Sequence, residues 1–282
     1  MLVSPTALYA LLLLAVPLIA IVVISFLTQT GVRDFAPGPS LVNYKEALSD
    51  PLYRELMLRS LMVSGSVTVV TVLLAFPIAY FVSFGVKPEQ KSLWIFLITI
   101  PFWTSYLIRV FLWKVILGYN GVLNSGLKLV GIIDEPLTFI LYNVNAVIIT
   151  LAHAYAPFAI LPIFVALEKI DRSYLEASRD LGESRTMTFL RVTLPLAAPG
   201  VVAAVLIVFI PTIGDYVTPK LVGGPGGTMI ANMIQTQFLR LNNAPLGATL
   251  AVLAMLIVAV IAIVFLIVGY RAAGGGKKGG RG

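Results

Sequence analysis

A carboxylate at the end of a long apolar run can hold a cation, and this chain has one at Asp215, in Gly214-Asp215-Tyr216. Ionisable groups inside or at the edge of a membrane are functional suspects by default. Aromatic faces add to cation recognition, and Trp103, Tyr155 and Tyr216 stand in or beside apolar runs. Each residue also has a structural use: an Asp caps or terminates a helix, and an aromatic ring packs in a core. His153, the one histidine, suits a hydrogen-bonded packing role better than a proton relay. Catalytic chemistry is sparse. With no cysteine there is no disulfide, thiolate metal site or cysteine nucleophile. One histidine builds no zinc cluster, and no nucleophile–base pair is visible. The tail has lysines beside glycines but no GxxxxGK[ST] phosphate loop.

The elements that must position these residues follow from composition. Of 282 residues, 59% are apolar and 12% charged, and the mean hydropathy is +0.95. A soluble domain carries about 25% charged residues and could not bury so much apolar surface. The composition therefore indicates an all-α integral membrane protein. Crossing a bilayer takes about 20 apolar residues per helix. Six stretches qualify: Thr6 to Leu27, Met57 to Phe84, Ser92 to Leu117, Leu137 to Leu167, Leu196 to Asp215 and Gly247 to Tyr270. The period-2 alternation of a membrane barrel is absent. The first stretch reads as a retained helix, because no positive residue precedes it and no A-x-A site follows.

Six helices put both termini on one side. Lys and Arg are denser on that side, which assigns the termini and the segment 168–195 to the cytoplasm. The net charge of +7 is then a topology signal. No basic stretch is interleaved with aromatics as a nucleic-acid groove requires. Arg109 and Lys114 fall near the far interface, where they can snorkel. Pro77, Pro101, Pro157 and Pro162 interrupt apolar stretches, which favours moving or cavity-lining helices over passive anchors. The connection from Gly118 to Pro136 reads as a loop. The connection from Tyr216 to Leu246 carries Ile230, Met233, Ile234 and Phe238 at helical spacing. Residues 1–270 form one transmembrane domain, and the basic glycine-rich tail 271–282 is expected to be disordered.

The segment Glu168 to Pro195 is the long charged connection. Arg172 with Glu176, and Arg179 with Glu183, are spaced to pair on a helix. Ile170, Tyr174, Leu175 and Leu181 form an apolar set. Gly182 fits a helix stop with positive φ. A second short helix over Ser184 to Leu194 follows, and Pro195 opens the next membrane segment. This helix–glycine–helix knob suits docking into a partner's groove; a solvated amphipathic loop is the plainer reading.

Glu176-Ala177-Ser178, three residues, Gly182, nine residues, Val192, one residue, then Leu194-Pro195 resembles the EAA loop of ABC importer permeases, E-A-A-x3-G-x9-I-x-L-P. Ser178 and Val192 depart mildly from that pattern. Ile100-Pro101-Phe102-Trp103-Thr104-Ser105, Asn120-Gly121-Val122-Leu123-Asn124 and Leu221-Val222-Gly223-Gly224-Pro225 are similar to spermidine/putrescine-type permeases. The resemblance implies a type I importer subunit with the MetI-like permease fold in a bacterial inner membrane. It implies a second, distinct permease chain, two ATPase subunits that carry ATP and Mg, and an external substrate-binding protein. This chain would need no cofactor of its own. Glu176, Ala177, Ser178 and Gly182 would form the coupling helix on the ATPase, and Val192, Leu194 and Pro195 would return the chain to the membrane. Asp215, Tyr216, Trp103 and Tyr155 would face a polyamine. The loop cannot choose a solute, so an opine, an amino acid derivative or an oxyanion stays open. A secondary transporter working alone is disfavoured by the few buried charges.

Overall fold

A computed structural model describes residues 4–31 and 34–274. Each apolar stretch is helical. In chain order the helices are α1 (Ser4–Ser25), α2 (Val42–Ser49), α3 (Pro51–Tyr80), α4 (Pro88–Thr99), α5 (Tyr106–Ile116), α6 (Val122–Leu129), α7 (Val144–Glu168), α8 (Arg172–Asp180), α9 (Arg185–Thr188), α10 (Leu194–Ile213), α11 (Val217–Val222), α12 (Ile230–Leu239) and α13 (Ala244–Gly274). Among the described residues the only extended pairing is an isolated bridge, Gln29 to Phe35. The tail beyond Gly274 lies outside the described residues.

By length and composition, Pro51–Gly85, Val144–Glu168, Arg185–Ile213 and Ala244–Gly269 can each cross a membrane. The third stretch, read above as one helix, is two segments bent by 87°. Pro101 removes a backbone donor there, and Thr104 and Ser105 are extended. Arg109 holds the break rather than only anchoring an interface. Its guanidinium donates to the Thr104 carbonyl at 3.1 Å and the Ala154 carbonyl at 3.3 Å. The connection after Gly118 is not all loop, because α6 forms in it. Its Asn124 is buried, donating to the Gly118 carbonyl and accepting from Leu137 N. The helix expected around Ile230 to Phe238 is α12.

Helices α3, α7 and α10 make the core. Val67, Ala75 and Ala79 meet Leu151, Ala159 and Ile163 and then Ala197, Ala204 and Val208, all fully buried. Small residues let the backbones approach closely, which is the dominant means of helix association in lipid. Two buried hydroxyls of α3 are satisfied within the helix: Thr68 donates to the Ser64 carbonyl and Thr71 to the Val67 carbonyl, whereas the Ser64 and Thr150 hydroxyls have no partner among the described residues. Ser60 donates to the Leu56 carbonyl and accepts from Ile230 N at 2.8 Å, pinning α12 to α3. The outward faces of α1, α3 and α13 are lined with Leu, Val and Ile, an apolar exterior suited to lipid.

Pro195 stands in the first turn of α10, as expected, but no gap separates it from the helical turns before. The helix does not restart there; Arg185–Ile213 is continuous, with a π turn at Phe189–Thr193 just before the proline. Pro195 offers no N–H, and a locally wider turn lets the chain stay helical past the missing bond.

Candidate functional site

The knob is built from local rules. Asp171 caps α8 by accepting from Ser173 N at 2.9 Å. That N–H holds the Asp171 carboxyl below its usual range. The cap is ionised at neutral pH, and its contribution disappears as pH falls through that lowered value. Gly182 stops the helix with φ of +86°, while its N–H donates to the Arg179 carbonyl and Glu183 N to the Ser178 carbonyl. Ser184 then caps α9 by accepting from Met187 N.

Ser178, the departure from the expected alanine, is buried and hydrogen-bonded to the Thr188 hydroxyl at 3.1 Å. This contact ties α8 to α9, and nothing in the spacing pointed to Thr188. The expected pairs on α8 are not the ones formed. Glu183 pairs with Arg191 at 2.5 Å rather than with Arg179, because the left-handed turn at Gly182 takes Glu183 off the α8 face. Arg172 and Glu176 are not an ion pair among the described residues; both stand in solvent, where such pairs gain little. The apolar set divides. Ile170 is buried and Leu175 half-buried, whereas Tyr174 is exposed and Leu181 is 86% exposed. Glu176, Ala177 and Gly182 are exposed with them, and Leu194 and Pro195 are exposed on α10, with Val192 half-buried between. The knob thus presents an apolar tip beside a carboxylate.

The second cluster surrounds Asp215, which is buried. Its Oδ1 accepts from Val217 N at 2.9 Å and Thr218 N at 3.3 Å, capping α11. Its Oδ2 accepts from the Tyr106 hydroxyl at 2.7 Å, and that hydroxyl also meets the Thr218 hydroxyl at 2.7 Å. The capping use of Asp215 is therefore present. The sequence tied neither Tyr106 nor Thr218 to Asp215. The Asp-x-x-Thr spacing was a usable sign of the cap, but nothing local pointed to Tyr106. Tyr155, half-buried on α7, packs its ring near Phe158 and makes no hydrogen bond to Asp215 among the described residues. Tyr216 is exposed, and its carbonyl accepts from Asn232. Trp103 is 82% exposed, and among the described residues no hydrogen bond or ring contact joins it to this cluster. His153 packs as expected: it accepts from Trp113 Nε1 at 3.1 Å, with the rings edge to face. Among the described residues no group of three or more His, Asp or Glu side chains converges to hold a metal.

The family model for the binding-protein-dependent transport system inner membrane component matches residues 6–273. The chain belongs to that family. Proteins similar to it include the spermidine/putrescine transport system permease protein PotB of Haemophilus influenzae. That protein is 37% identical over 257 residues, covering 91% of this chain and 87% of the relative. PotB of Escherichia coli is 35% identical, over 88% and 90%. The inner membrane ABC transporter permease protein YdcU of Escherichia coli is 32% identical, over 79% and 74%. A bacterial alginate ABC transporter, crystallised with an alginate-bound periplasmic protein, has a chain of the same fold. The TM-score is 0.73 at 17% identity, covering 96% of this chain and 93% of that one. As an inner membrane component, the chain is a multi-pass membrane protein, and its bent and proline-interrupted helices fit a permease fold.

Proposed function

We propose that this chain is a permease subunit of an ATP-driven importer for a polyamine, in a bacterial inner membrane. The observation that carries the solute is the likeness, over about nine-tenths of the chain, to relatives named as spermidine/putrescine permeases. The chain crosses the membrane six times with both termini in the cytoplasm. It pairs with a distinct second permease chain, two ATPase subunits holding ATP and Mg, and an external binding protein. The exposed knob supports the coupling role: Glu176, Ala177, Leu181 and Gly182 are free to enter a groove on the ATPase, while Ser178 is committed inward. ATP binding can shift the permease only through contacts that differ between its two states, and the knob supplies them. Closure of the ATPase dimer draws the knobs together and opens the cavity outward; hydrolysis resets it.

Asp215 supplies a carboxylate to the pathway, oriented by Tyr106, with Tyr155 and Tyr216 as its aromatic neighbours, while Trp103 stands apart from the cluster. Asp215→Asn keeps an acceptor for α11 and removes the charge. Transport at sub-saturating putrescine should fall about tenfold, the scale of one charge acting across several ångströms of partly wet protein. Asp215→Ala should also lower the melting temperature, because the Tyr106 hydroxyl and two backbone donors lose their acceptor at about 1–3 kcal/mol each where buried.

The deciding experiment reconstitutes the assembly in vesicles and measures ATPase activity against a solute panel delivered by the binding protein. Putrescine or spermidine should raise the rate about fivefold or more, an ordinary site-to-site coupling. A response to an oxyanion or opine with none to polyamines would remove the solute assignment. Failure of any ATPase subunit to copurify would remove the importer reading.

A further inference from the structure

Glu168 ends α7, at the point where the knob leaves the bundle. Its Oε1 accepts from Lys91 Nζ at 2.6 Å and from the Ser83 hydroxyl at 2.6 Å. Lys91 lies in the first turn of α4, with a side chain 16% exposed. Ser83 is buried in the π turn Phe81–Gly85 that finishes α3. One carboxylate oxygen therefore joins the end of α7 to the neighbouring ends of α3 and α4, 85 and 77 positions away in sequence. Lys91 is mostly buried and the Glu168 side chain is 34% exposed, so loss of the carboxylate would leave a largely desolvated cation unpaired, which is costly. The surroundings suit movement. A π turn gives a helix a place to bend, and Ser83 sits in one. A second cation, Arg172, opens α8 four residues further on and makes no ion pair with Glu168 among the described residues.

We propose that Glu168 is a positioning residue for energy coupling: the Lys91–Glu168–Ser83 tie fastens the root of the knob to the near ends of α3 and α4, so that displacement of the knob carries both helices with it. This rests on the coupling role proposed for the knob. The two helices are suitable followers. α3 is part of the central trio, and α4 leads into the 87° break held by Arg109. A tie at the root converts a push on α8 into a movement of the transport pathway, whereas without it only the chain and the buried Ile170 hold the knob to the α7 side of the bundle.

The test reads the coupling ratio, solute transported per ATP hydrolysed, in the reconstituted assembly. Lys91→Glu and Glu168→Lys alone should each lower that ratio about tenfold or more, while the ATPase still copurifies. The double variant, which restores an opposite-charge pair with its sign reversed, should recover most of the loss, and Lys91→Arg should keep the ratio near wild type. Single variants with a normal ratio would overturn the proposal, as would a double variant no better than the singles. If the charge variants fail to reach the membrane, Ser83→Ala removes one hydrogen bond and keeps both charges. Its ratio should fall about two- to threefold, as expected for one lost bond of modest net strength, and an unchanged ratio would overturn the tie. A wild-type assembly that ignores every solute sinks the importer reading; a working wild type with swap-insensitive variants sinks only the tie.

Discussion

Gly182→Val should abolish most transport while leaving the chain in the membrane. Gly182 has φ of +86°, and a Cβ added there would meet no heavy atom within 4 Å. The penalty is therefore conformational rather than steric. A left-handed backbone costs an ordinary L-residue about 1–2 kcal/mol, with β-branched residues worst placed. That is too little to unfold a bundle held by α3, α7 and α10, but it is enough to select another turn. Any other turn re-aims the chain between α8 and α9. It moves Leu181 and Glu176 relative to Ala177, strains the Ser178–Thr188 contact and breaks the placement of Glu183 against Arg191. Transport and copurification of the ATPase should both fall about tenfold or more, since 1.4 kcal/mol already gives a factor of ten. The substitution series separates shape from bulk. Gly182→Asn should be the mildest, because Asn tolerates the left-handed region. Gly182→Ala should be intermediate and Gly182→Val the worst. Normal transport by the valine variant would show that this turn does not couple ATP to the permease.

How much of this was readable in the chain alone varies with the range of the interaction. Local rules worked where a single residue settles a conformation. The Gly182 stop and α12 were visible because each rests on spacing within a few residues. Local rules failed where the outcome depends on a distant partner. The third apolar stretch read as one span, with a bend expected at Pro101 but not one of 87°. Its sharp break is held by Arg109 reaching the Ala154 carbonyl on α7, across 45 positions. Tyr106 could not be linked to Asp215 across 109 positions, so the carboxylate was legible and its orienting hydroxyl was not. Pro195 shows a third kind of limit. The sequence set a boundary there between a short helix and the next membrane segment, and the chain runs through it with a π turn upstream, a compensation that leaves no compositional mark. Ser178 is the instructive middle case: a departure from the family pattern whose reason is its buried contact with Thr188.

A second large effect is expected at Gly200, and its cause is the opposite of that at Gly182. A Cβ on Gly200 would fall inside contact distance of the Ala166 methyl and the Pro162 carbonyl, and 3.2 Å from the Ile163 Cα. Two of these neighbours are backbone atoms, which cannot rotate aside. Gly200 sits on the α10 face between the buried Ala197 and Ala204, against α7. In lipid this close approach is itself the attraction, because apolar burial does not distinguish a neighbouring helix from an acyl chain. Gly200→Leu must push α7 and α10 apart, and overpacking of this kind costs about 1–3 kcal/mol or more. These two helices also flank the knob, so their separation spreads its roots. The amount of folded protein in the membrane should fall to about a tenth, with a lower melting temperature for whatever remains. Even Gly200→Ala should destabilise, against the general rule that alanine improves a helix by about 1 kcal/mol over glycine. Gly126 supplies the contrast: it lies in α6 with nothing within 4 Å of a built Cβ, so Gly126→Ala should hold or raise the melting temperature. Opposite signs at the two glycines would establish that α7 and α10 touch at Gly200, and a stabilising Gly200→Ala would show that they do not.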